Sequence, residues 1–177
     1  MPVDNLHHHI TGEDRRTVDI LPLLQESEAK TRRLFLDSRD ASTYAPFNFT
    51  FDVSRDIERG RYRKVSSVEL KAAAIPKITG ENYAILDIVE LRDSNIDSTC
   101  DALNDGFAVC YFDNSSLSAG DVKLSDKVFC QKALFDPPKS IDKLSVRVLK
   151  HDGNVVSISE TANVENVSIL LSLTQEP

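Results

Sequence analysis

From about residue 31 onward, apolar and polar side chains alternate in short runs that break at Gly, Pro, Asn, Asp or Ser. A period of two places successive side chains on opposite faces of an extended chain, so these runs predict β-strands. An apolar run at 33–37 comes first. Phe47, Phe49, Phe51 and Val53 then alternate with Asn48, Thr50 and Asp52, which puts the rings on one face and polar groups on the other. Residues 65–75 (VSSVELKAAAI) stop at Pro76, and residues 83–91 (YAILDIVEL) follow a Thr79-Gly80-Glu81-Asn82 turn. Alanine, glutamate and leucine favour helix in both. The β-branched Val65, Val68, Ile85, Ile88 and Val89, with the bounding Pro and Gly, predict strands instead. Residues 107–112 (FAVCYF) lie between Asp105-Gly106 and a polar loop at 113–116, as expected of a short, fully buried strand.

Residues 128–134 predict a further strand ending at Asp136-Pro137-Pro138, and Leu144, Val146 and Val148 alternate with Ser145 and Arg147. In His151-Asp152-Gly153-Asn154, Asp-Gly sits between two β-rich runs, which predicts a two-residue turn and an antiparallel hairpin. The run at 167–173 (VSILLSL) closes the domain. The sum is about eight strands, no helix longer than two turns and no repeat of fixed period. The predicted fold class is all-β, an antiparallel sandwich, with a single jelly roll as the leading topology. An immunoglobulin-like sandwich ranks second, because a chain without Trp cannot carry the Cys…Trp…Cys framework.

Residues 1–30 are patterned differently: polar and charged, with one apolar island formed by Val18, Ile20, Leu21, Leu23 and Leu24 and interrupted by Pro22. The island is too short to hold a helix alone. It predicts an extended N-terminal arm, ordered by docking, ahead of a domain spanning 31–177.

Composition supports one folded domain: of 177 residues, 41% are hydrophobic and 28% charged, far from the disordered regime. A net charge of -7 argues against nucleic acid as main partner, since that affinity comes mainly from Lys and Arg displacing counterions. Basic clusters at 15–16, 30–33 and 59–64 are flanked by acids and read as solvated or interface faces. Cys100, Cys110 and Cys130 form no C-x-x-C pair, so reduced thiols and a reducing compartment are expected. No apolar run approaches the roughly 20 residues of a membrane span, and the N-terminus lacks the order of a secretory signal, so a cytosolic start is expected.

The sequence predicts no catalytic residue, no cofactor and no metal site. His7-His8-His9 are consecutive, so in an extended segment at most two share a side. His151 and Asp152 are neighbours in the predicted turn, where neither orients the other. G-x-S-x-G and the Gly-rich phosphate loops are missing. The carboxylate pairs Asp37/Asp40, Asp87/Glu90 and Asp93/Asp97 are of a kind that charged faces produce freely. The Asn-x-Ser/Thr triplets at Asn48, Asn114 and Asn166 read as chance. A metal oxygenase on this scaffold needs two histidines and a carboxylate inside the barrel, and only His151 lies within 31–177.

One stretch stands out: Leu34-Phe35-Leu36 runs straight into Asp37-Ser38-Arg39-Asp40. It resembles the strand of form [LI]-x-[LI]-D-S-R-D that opens the single jelly-roll capsid proteins of large icosahedral DNA viruses, the chlorella viruses and their relatives. In those proteins an alternating aromatic strand follows, like residues 47–53, then V-x-x-V-x-L-x-x-x-x-I-P, matched by 65–76, and V-x-V-L-x-x-D-G, matched by 146–153. Ala41 stands where an Arg often completes the first motif.

The resemblance covers about 31–153 and implies a structural role rather than an enzyme. The expected function is a vertex (penton) subunit in a homopentameric ring, with the major capsid protein and other minor capsid proteins as partners, in a virion capsid assembled in the host cytoplasm. A minor capsid protein beneath the shell is the alternative within that class. A carbohydrate- or receptor-binding sandwich is the alternative outside it, although the loops offer mainly Asp, Asn and Ser rather than aromatics. On the assembly reading, Val18, Ile20, Leu21, Leu23 and Leu24 bury apolar surface at a subunit contact. Arg32, Arg33, Asp37, Arg39 and Asp40 make ion pairs at the domain's base.

Overall fold

The computed structural model describes residues 29–54, 62–92, 104, 106–112, 118, 122–125, 128–130 and 132–177. Contacts divide the chain into a unit of Lys30–Glu176 and a second of Met1–Ala29 with Pro177. In the larger unit the described elements are eleven strands and three short 3₁₀ turns. The strands are β1 (Lys30–Asp37), β2 (Thr43–Ala45), β3 (Asn48–Asp52), β4 (Val65–Pro76), β5 (Tyr83–Ile88) and β6 (Ala108–Tyr111). They continue as β7 (Val122–Ser125), β8 (Val128–Cys130), β9 (Ala133–Lys139), β10 (Lys143–Leu149) and β11 (Ser168–Gln175).

The strands form two antiparallel sheets. One has the order β1-β11-β4-β7, with β9 also on β4, and the other runs β2-β3-β10-β5-β6-β8. The described fold is thus all-β, a two-sheet sandwich as the alternation demands. The central strands lie far from their neighbours in sequence: β11 fits between β1 and β4, and β10 between β3 and β5. The inward faces meet in one apolar core that includes Leu34, Leu36, Phe47, Phe49, Phe51, Leu86, Ile88, Val146, Ile169, Leu171 and Leu173. Each fully buried side chain of this size stabilises the fold by roughly 1.5–3 kcal/mol relative to exposure.

The strand prediction for 65–75 holds, because the competing helical propensity is weak beside burial between sheets, and that for 83–91 holds only over Tyr83–Ile88, since Val89–Leu91 form a 3₁₀ turn. In β4 the buried positions switch from Val68 and Leu70 to Ala73 and Ile75. The register explains this: Leu170 and Leu171 of β11 oppose Ala72 and Leu70, so Lys71 is an extra residue that resets the alternation.

Four expectations are corrected. The run at 128–134 is two strands in different sheets, β8 pairing with β6 and β9 with β4. Asp136-Pro137-Pro138 does not end β9, which continues to Lys139. Proline is tolerated there because, among the described residues, β9 pairs only with β4, so its missing N–H breaks no ladder on the other side. At the Asp-Gly hairpin, Gly153 N–H donates to Lys150 O, Lys150 N–H donates to Asn154 O, and Gly153 has φ 82°. The loop therefore has three residues, with glycine in the left-handed position, and a single bridge, Leu149 to Val155, precedes a 3₁₀ turn at Ile158–Thr161. Finally, Tyr111 is 49% exposed, so the 107–112 run is buried except where β6 presents this ring outward.

Candidate functional site

β1 lies at the end of its sheet and alternates strictly: Leu34 and Leu36 point into the core, whereas Phe35 is 63% exposed. Its last residue, Asp37, turns the chain. Asp37 Oδ1 accepts from the Arg39 backbone N–H at 3.0 Å and caps the 3₁₀ turn Ser38–Asp40. The Arg39 guanidinium closes a fork on the same carboxylate, Nε to Oδ1 at 2.9 Å and Nη2 to Oδ2 at 2.6 Å. The guanidinium hydrogen bonds and then the backbone N–H hold the Asp37 carboxyl down at about 2.

Ser38 is buried and bonds reciprocally with the loop before β11: its N–H donates to Val167 O at 2.8 Å, and its Oγ accepts from Val167 N–H at 3.1 Å. The Asp-Ser-Arg motif is thus a corner that pins the end of β1 to the start of β11.

Beside this corner, Asp37, Arg39, Ala74, Asn166, Val167 and Ser168 line a hollow of about 180 Å³. Small-molecule sites usually span about 300–1,000 Å³, so a hollow this small suits a side chain better than a metabolite. Next to it on the outer face, Phe35 opposes Leu170 and Leu170 opposes Ala72, which draws an apolar row across three strands. Leu134 on β9 is a second outward apolar side chain, 66% exposed.

The expected ion-pair cluster does not converge on one place. Arg32 and Arg33 lie near the start of β1 and Asp37 at its end, about 15 Å apart at strand rise. Arg32 Nε donates to Gln175 Oε1 at 2.6 Å, and Gln175 Nε2 donates in turn to Arg63 O at 2.8 Å. Arg33 and Asp40 are exposed and, among the described residues, close no ion pair. Val18, Ile20, Leu21, Leu23 and Leu24 lie outside the described residues, as do His7, His8 and His9.

The other sheet carries a charged cluster that sequence reasoning missed. Asp87 on β5 is fully buried, yet its carboxylate takes a fork from Arg92, both contacts at 2.8 Å, and a further bond from Arg147 Nε at 2.7 Å. Glu90 lies close in sequence but serves another strand: it accepts from the N–H and Oγ of Ser145 at 2.6 and 2.9 Å. Each carboxylate of this pair is thus occupied by its own donors. The only signal in the sequence was an Asp within a run of apolar residues, which burial permits only when cations accompany it.

At a loop end, His151 Nδ1 lies 3.0 Å from Glu81 Oε1. Lys150 Nζ donates to Glu160 Oε1 at 3.0 Å. The Glu160 carboxyl is held below its usual range, first by the Ser157 backbone N–H and then by Lys150, whose own value is raised by Glu160. These contacts tie the β4–β5 and β10–β11 connections together. Among the described residues, no group of three or more His, Cys, Asp or Glu side chains is arranged to hold a metal ion. Cys110 is a buried thiol. No helix among the described residues is long and apolar enough to cross a membrane. Comparison with protein-family models finds none that matches this chain, and comparison with curated proteins finds no match either.

Proposed function

We propose that this chain is a structural capsid subunit of a large icosahedral DNA virus, a single jelly roll that forms the five-fold ring of the vertex and reaches neighbouring capsid proteins through its N-terminal arm. The observation that carries the reading is the strand order. Leaving aside the short β2, β7 and β8, one sheet reads β1-β11-β4-β9 and the other β3-β10-β5-β6. Chain-terminal strands interleaved between early ones in both sheets are what two nested Greek keys produce. The Asp37-Ser38-Arg39 corner gives the motif behind the resemblance a structural task, which further supports the reading.

A subunit of this kind works by geometry rather than by reaction. Edges of one copy meet different edges of the next, and the assembly closes when the rotation between copies divides the circle. Apolar side chains presented outward, such as Phe35 and Leu134, suit burial in such contacts better than permanent exposure.

The test is assembly of the purified full chain across a concentration series, read by sedimentation velocity and negative-stain electron microscopy. Closed five-membered rings are expected. Discrete assemblies of another symmetry favour the minor capsid position beneath the shell, and a monomer at every concentration that binds glycans on an array overturns the capsid reading.

A further inference from the structure

Among the described residues the outer edge of β1 carries no partner strand: β1 pairs with β11 on one side and ends its sheet on the other. Its length is eight residues, Lys30–Asp37, more than enough to template another strand. Its charge is strongly biased, with Lys30, Arg32 and Arg33 against Asp37 alone. Phe35 stands 63% exposed in its middle. Long edges of this kind either carry charges that repel intruders or await a specific strand.

Resting on the assembly reading above, we infer that this edge is the socket for the N-terminal arm of a sister copy, which adds residues 17–28 to the sheet as an outermost strand. Three observations select that occupant. First, residues 17–28 (TVDILPLLQESE) hold Asp19, Glu26 and Glu28 and no Lys or Arg, a charge of −3 that complements the basic β1. Two β1 strands brought edge to edge would instead carry the same net positive charge. Second, Pro22 interrupts the apolar island, and a proline with no N–H fits a strand whose far side faces solvent. Third, only Ala29 lies between this segment and β1, shorter than the two-residue loop that the tightest reversal onto the same copy's β1 requires. Pairing with the same copy's β1 needs that reversal. Pairing with a neighbour's β1 does not.

In the docked arrangement, main-chain bonds along the edge supply affinity, Val18 and Ile20 lie on the face of Phe35, and the net negative charge of the segment runs along the basic strand. The experiment uses the full chain, with sedimentation equilibrium and disulfide trapping. Lys30→Glu with Arg33→Glu is expected to weaken self-association about tenfold, the loss of ~1.4 kcal/mol, while circular dichroism stays unchanged. Asp19→Lys with Glu28→Lys on the reversed background restores it. Mixing separate Ile20→Cys and Phe35→Cys chains is expected to give cross-linked dimers that neither variant forms alone.

If the wild type assembles, and needs residues 1–28 to do so, but charge reversal leaves its affinity intact or the swap fails to rescue it, the socket lies elsewhere and only this inference falls. A cross-link that forms only when both cysteines share one chain also overturns it. A wild type that stays monomeric with or without the arm removes the assembly reading itself.

Discussion

Asp87 of β5 and Arg147 of β10 sit directly opposite each other across an antiparallel pair, and the Arg147 Nε donates to the buried Asp87 carboxylate at 2.7 Å. Arg92, at the end of the 3₁₀ turn after β5, completes the clamp from the other side. Removing the carboxylate strands two guanidiniums, and removing one guanidinium leaves the other in place. Asp87→Asn should therefore lower stability by about 3 kcal/mol, and Arg92→Ala by less, in urea unfolding followed by circular dichroism. Equal losses from both would show that the two cations are not sharing one anion.

The Ser38 hydroxyl is a buried tie between β1 and the segment leading into β11. Ser38→Ala leaves the Val167 N–H without its acceptor, so a loss of about 1–3 kcal/mol is expected, with faster amide exchange at Val167. Ser38→Thr keeps the acceptor and should lose less, unless its extra methyl cannot be housed.

Acid stability follows from Asp37. Its folded value of about 2 lies below the ordinary 3.8, so the corner's contribution is complete above about pH 4 and fades as pH falls toward 2. Glu160 and Asp152, both lowered, add the same sign. Thermal midpoints recorded from pH 5 to pH 2 should fall, and Asp37→Asn should flatten part of that fall while lowering the midpoint at pH 5.

Gly80 turns the chain between β4 and β5 with φ 81°, and a Cβ placed there meets nothing within 4 Å. Any penalty is then conformational rather than steric. Gly80→Ala should cost about 1 kcal/mol and Gly80→Asn less, since Asn tolerates the left-handed region. A β-branched residue should cost the most. Chemical denaturation of the three variants measures this order, and equal losses would sink it.

Phe49 and Phe51 were legible because a two-residue period is a local property: each side chain's face follows from its neighbours in sequence. The division of 128–134 between two sheets was not legible, because both pieces are apolar and period alone says nothing of which sheet receives them. The face switch at Lys71 was hidden for a related reason: a bulge is defined by the partner strand, not by the strand that carries it.

By itself the sequence determined that the chain forms short strands with one buried face, that Asp37-Ser38-Arg39-Asp40 ends the first of them, and that no Gly-rich phosphate loop or G-x-S-x-G turn occurs. Only the tertiary structure decided that β11 lies between β1 and β4, that Arg147 reaches Asp87 from 60 residues away, and that β1 ends its sheet among the described residues. Strand propensity is set within a few residues. Pairing is set by which distant surfaces exclude water together, and burying a carboxylate is tolerable only once the fold has brought cations to meet it.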